Sequence, residues 1–140
     1  MTAMSTYLEN KIAEHVLRNV AYTSPGTSVY VGLIKYYDAA VVEAGTLTQE
    51  ASGGSYARQQ VDGSDGSTGW VAAANGATSN EGDITFPTAT GDWDNISGVI
   101  ISDAASAGNV LLHGSLTTAR DVKNGDVFKF NAGDLDVTFA

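Results

Sequence analysis

Cysteine is absent from the chain, so neither a disulfide nor a thiolate metal site can hold it together, and stability must come from packing or assembly. Basic residues are scarce: seven Lys and Arg stand against 16 Asp and Glu, and the net charge of −9 produces a field that repels a phosphate backbone. Nucleic acid is therefore not an expected partner. The sequence has no run approaching the roughly 18 apolar residues of a membrane span. Its opening, MTAMSTYLENKIAEHVLRNV, lacks the basic flank and long uncharged apolar stretch of a secretory signal. No membrane partner is expected, and the protein is expected to be used without export. Charged residues make up only 16%, against about 25% in ordinary soluble domains. Small and polar side chains must then cover much of the surface, a composition suited to a protein packed among partners.

With 140 residues, one domain spanning 1–140 is expected. Thr6 precedes Glu9 at the spacing of a capping box, and Leu8, Ile12, Ala13, Val16, Leu17 and Val20 follow at helical intervals. This predicts an amphipathic helix over about 6–21, supported by an exposed Glu14–Arg18 pair of ~0.3 kcal/mol and stopped by Pro25 and Gly26. After Pro25 the period changes to two. In SVYVGLIKYY, Val29, Val31 and Leu33 alternate with Tyr30, Gly32 and Ile34, which marks a strand. Ala39 to Gly54 shows no sustained period and reads as a long loop with at most one short strand.

SYARQQV, WVAA and DITFP read as further short strands, with Asp62–Gly69 a turn-rich break and Asn75-Gly76 a tight turn. In WDNISGVIISDAASAGNVLLHGSL two apolar runs flank the small-residue break DAASAG. Both are apolar on both faces, as strands buried between layers are. LTTARDV connects to a final hairpin in which Phe128, Phe130, Leu135, Val137 and Phe139 point inward. Seven to nine strands from about 28 to 139 predict an all-β fold: an antiparallel β-sandwich or jelly-roll-like barrel with one N-terminal α-helix.

Candidate chemistry is thin. No Gly-x-Ser-x-Gly or phosphate-cradling glycine loop occurs. His15 and His113 lack metal-binding spacing, and each reads as a packing residue with one satisfied ring nitrogen. VDGSDGSTGW invites a calcium reading, but its fifth position is Gly66, its sixth Ser67, and its twelfth Ala73 where a bidentate Glu is needed. Ordinary turn geometry explains it, and Asp92 and Asp94 around Trp93 are read the same way. No pair of acids is marked for glycoside hydrolysis, and the Asn95-Ile96-Ser97 sequon carries no weight without a secretory signal. Catalytic residues, cofactors and metals are all expected to be absent. Arg58 and Arg120 can each form a bidentate pair with an acid, within the fold or across an interface. Tyr37 and Trp93 either fill the sandwich or anchor a partner. Tyr37, Arg58, Trp93 and Arg120 are the candidate interface residues.

One ordered set of motifs spans the chain: a helix with LRN, then SP and YVGLI, then SGGSYARQ, ITFPTATGDWDNISGVIISDAASAGNVLLHGSL and NGDVFKFNAGDLDVTF. This order resembles a family of small tailed-bacteriophage virion proteins, often labelled tail-fibre-like, and similar small proteins decorate or cement the capsid surface. The likeness is strongest from Ser52 to Phe139. It implies a β-rich fold, no catalytic residues and repeated copies on a symmetric particle. The leading expectation is therefore a capsid decoration or cement protein, assembled in the host cytoplasm. It would form a homotrimer that bridges subunits of the major capsid protein on the virion surface and resists rupture through many modest contacts. The alternative is a tail-fibre or receptor-binding component that recognises a host surface glycan through aromatic residues such as Trp93.

Overall fold

The computed structural model describes residues 3–25, 28–63 and 67–139. In chain order these form β1 (Ala3–Met4), α1 (Thr6–Arg18), β2 (Ser28–Lys35), α2 (Ala39–Glu43), β3 (Gln59–Asp62), β4 (Ala77–Ser79), β5 (Ile84–Thr85), β6 (Asp94–Ser102), β7 (Val110–Val122), β8 (Lys129–Phe130) and β9 (Asp136–Thr138). The main sheet has the order β1-β7-β6-β2-β3, and two-stranded ribbons β4-β9 and β5-β8 accompany it. Every pairing is antiparallel. The architecture is the expected all-β sandwich with an N-terminal helix. Ser64–Gly66, at the centre of the break read for calcium, lie outside the described residues.

The central strands are apolar on both faces because both faces are covered. Val31 registers with Ile101 and Leu33 with Val99, while Ile101 lies opposite Leu112 across β7. These residues belong to the larger core with Phe86, Trp93, Phe128, Leu135 and Val137. On the opposite face, Ile34, Ile100 and Val110 pack with Val42, Tyr37 and Leu47. In the larger core Phe86 meets Phe128 edge to face at 5.8 Å and Tyr56 meets Trp93 likewise at 5.4 Å between ring centroids, a geometry that ring quadrupoles favour.

Several local expectations are corrected. The cap of α1 is Ser5 rather than Thr6. The Ser5 hydroxyl accepts from the Leu8 amide at 3.2 Å and donates to the Val110 carbonyl, so one buried side chain both starts the helix and ties it to β7. The helix stops at Arg18, short of residue 21, because Asn19 turns left-handed with φ 55°. Ala39–Glu43, read as loop, is a short helix capped by Asp38, whose carboxylate accepts from the Ala40 amide at 3.0 Å. Five residues are too few to display a period, and it is Val42 docking on Ile34 and Ile100 that holds the turn in place.

Trp70–Ala73 forms no strand. Trp70 makes a lone bridge to Asn80, and Ala74 bridges Ala77 around the predicted turn, where Asn75 and Gly76 take φ of 54° and 75°. The last two strands also do not pair with each other. β8 pairs with β5 and β9 with β4. Alternation in the sequence places Phe128, Phe130, Leu135 and Val137 inward, as found, but says nothing about which backbone completes the ladder. Phe139, also expected inward, is partly exposed.

Gly98 lies against the ring of Tyr37, and a Cβ placed there would stand 2.4 Å from Tyr37 Cδ2. Gly98→Ala is expected to cost about 1–3 kcal/mol through overpacking, read as a lower denaturant midpoint at unchanged slope. An unchanged midpoint would contradict this packing of Tyr37 on the sheet.

Candidate functional site: an apolar groove beside the N-terminal helix

Two of the four candidate interface residues are used inside the fold. Trp93 is 1% exposed, and its indole N–H donates to the Gly54 carbonyl at 2.9 Å. Arg58, with a side chain 2% exposed, forms a bidentate pair with Glu50: Nε to Oε1 at 2.7 Å and Nη2 to Oε2 at 2.8 Å. Its Nη1 donates to Ser102 Oγ and to the carbonyls of Ala104 and Ala107 at 2.7–2.9 Å. The guanidinium therefore clamps the DAASAG turn to the edge of β2, which explains why that small-residue turn is ordered without a hairpin dipeptide. Tyr56 completes the network. Its hydroxyl donates to Glu50 Oε1 and accepts from the Leu33 amide, both at 2.9 Å. Burial, reinforced by the Glu50 charge, holds this phenol far above its ordinary range.

Tyr37 and Arg120 lie elsewhere. Tyr37 is half-buried, and its hydroxyl is 2.7 Å from Nδ1 of the fully buried His113. His113 Nε2 has no partner, and burial lowers the pKa of the ring. One ring nitrogen satisfied in a packed site is what the sequence suggested. Arg120 is exposed on β7 with its guanidinium over the Phe128 ring at 5.6 Å. Asp92 and Asp94 flank the buried Trp93 but turn to separate partners, Asp92 to the Asn124 amide and Lys123, Asp94 to Lys35. Among the described residues, no group of three or more His, Asp or Glu converges to hold a metal ion.

The surface feature that the sequence did not reveal is an apolar groove of about 320 Å³ between α1, the main sheet and the β4-β9 ribbon, lined by Ile12, Tyr22, Val29, Trp70, Val137 and Phe139 among others. Ligand sites of this size usually combine apolar walls with a few convergent polar groups. Here the polar lining is slight, and the Thr78 hydroxyl is already donated to the Val71 carbonyl. Such a surface can exclude water from another apolar surface but offers little to orient or polarise a substrate. The helix continues the groove outward. Leu8 and Ile12 pack inward, while Val16 and Leu17, one turn further on, are 70% and 81% exposed.

A family model described as podophage GP4 fiber I protein gp80 matches residues 3–138, almost the full chain. The chain belongs to this family. It is accordingly a phage virion protein of fibre type, a structural component of the particle, in line with the resemblance carried by its motifs. No curated protein matches it. Within this chain, sequence reasoning overlooked Glu50 as the counter-ion of Arg58, since 16 acids offered no reason to choose one. It also missed Asn80, which lies between the Asn75-Gly76 turn and DITFP. The buried Asn80 amide donates to the carbonyls of Gly82 and Asn131 and accepts from the Leu135 amide, joining the two loops that carry the ribbons.

Replacing Arg58 by Met leaves Glu50 without its counter-ion and is expected to cost roughly 3–5 kcal/mol. The double variant Arg58→Met, Glu50→Met should lose much less than the two single changes added together. Additive losses in denaturant unfolding would show that the two residues act independently. For His113, the folded chain binds its proton more weakly than the unfolded chain does. The associated stability is complete above about pH 6.5 and lost as pH falls through the depressed folded value. Melting temperature should therefore fall from pH ~7.5 to ~5, and His113→Gln should flatten that dependence. Asp83 and Asp92 have pKa values lowered by their hydrogen bonds and titrate below this window.

Proposed function

We propose that the chain is a non-catalytic building subunit of a podophage fibre, held in the particle by burying apolar surface against other virion subunits rather than by transforming a substrate. One observation carries this reading. The surface of this fibre-family chain combines an apolar groove with a helix whose apolar side chains project into solvent. An exposed patch of this kind marks an interaction site. The polar ties at the Arg58 clamp and at Asn80 supply a rigid scaffold for it in a chain without disulfides.

Capsid cementing, with homotrimers bridging major capsid subunits, relies on the same burial of surface. The family description favours the fibre. The Trp93 ring, 1% exposed, enclosed by Tyr56 and bonded to Gly54, offers no stacking face to a sugar. Cryo-microscopy of particles carrying a tagged copy separates the two locations. Density confined to fibres is expected, whereas copies repeated over the whole capsid lattice, with earlier heat release of DNA when the protein is missing, would replace the fibre reading by the cementing one.

A further inference from the structure

We infer that the C-terminal half of α1 and the groove beside it form the contact between copies of this chain, the projecting helix side chains of one copy entering the groove of the next. This rests on the fibre-subunit reading for its setting but on separate observations for its substance. The first is shape. Val16 and Leu17 project from the last turn of α1 and Val20 just beyond it, and the groove begins one turn back, with Ile12 on its wall. A projection and a hollow on one face of the same molecule are complementary under rotation, so each copy can give its helix to a neighbour and receive one, in a two-fold pair or a closed ring.

The second observation is area. From their exposures, Val16, Leu17, Val20 and Phe139 together present on the order of 400 Å² of apolar surface. A standard interface buries about 800 Å² per partner, a little over half of it apolar. This one face therefore supplies close to the apolar share that a stable contact between proteins requires.

The third observation is charge, and it selects the occupant. Residues 1–37 hold only two of the 16 acids, Glu9 and Glu14, and three of the seven bases, Lys11, Arg18 and Lys35. The net charge of −9 thus lies entirely in the remainder of the chain. On α1 itself Glu14 and Arg18 neutralise each other at 2.9 Å. The end of α1 that a second copy would insert therefore brings no net charge of its own into the groove, and charges beyond about 8 Å are screened at physiological salt.

The test is the mass in solution by sedimentation velocity across a dilution series, using the full chain. The wild type should exceed its 14.5 kDa monomer mass. Leu17→Asp and Val16→Asp, at positions too exposed to disturb the fold, should each return it to the monomer with an unchanged circular dichroism spectrum. Val127→Asp, at another exposed apolar side chain outside this face, should remain assembled. A wild type that is monomeric at every concentration, or helix variants that keep the wild-type mass, would overturn the inference. Particle imaging reports separately on the fibre reading: an assembly broken by the helix variants but located over the capsid lattice would retain this contact and reject the fibre.

Discussion

Ile100 and Ile101 are adjacent in β6 and point to opposite faces of the sheet, yet they are 0% and 4% exposed. Water has to be kept from both sides of the central strands at once, and much of the remaining structure follows from that requirement. A single sheet cannot satisfy it. The two ribbons bring Phe86, Phe128, Leu135 and Val137 over one face, and the short α2 brings Val42 over the other. The long β7 departs from regular pairing where this protection ends: Gly98 still registers with Ser115, but Ile96 registers with Arg120, so Leu116–Ala119 bulge out opposite Ser97. Because β1 covers only Leu112 and His113 of β7, a bulge further along also spoils the uncovered edge of β7 as a template for indiscriminate strand pairing.

Polar groups act as fasteners between these layers. The Arg58–Glu50 pair, buried and completed by Tyr56, Ser102 and two carbonyls, fixes the turn between β6 and β7 to the edge of β2. Ion pairs enclosed in this way contribute specificity of arrangement more than net stability, since desolvation offsets most of their attraction. The exposed pairs, Lys123–Asp92 and Lys129–Asp83, lie in water and add little. In a chain without disulfides, the enclosed contacts are what prevent one layer from sliding over another.

The same demand for burial goes unmet at the end of α1. The first turns of α1 are secured by Ser5 and Leu8, whereas the last turn carries apolar side chains with nothing from the described residues above them. A solitary subunit gains nothing from Val16 and Leu17 in solvent. A subunit built for assembly does, and membership of a phage fibre family supplies that context. The fold thus divides its apolar surface into a larger part that makes the sandwich and a smaller part available for another protein.

Phe139 and Trp70–Ala73 apart, the sequence alone determined which stretches would be buried and which face of the strands would point inward, because side-chain alternation is a local property of the backbone. It also determined the helix, the Asn75-Gly76 turn and the absence of cysteine chemistry. Its ordered motifs carried the resemblance to phage virion proteins. Partnership was decided only in three dimensions. Which acid neutralises Arg58, which strand completes β8 and β9, whether Trp93 faces a partner or the core, and whether the end of α1 is covered all depend on segments brought together from distant positions. A residue's chemistry is written at its own place in the chain, but its neighbours are chosen by how the layers close.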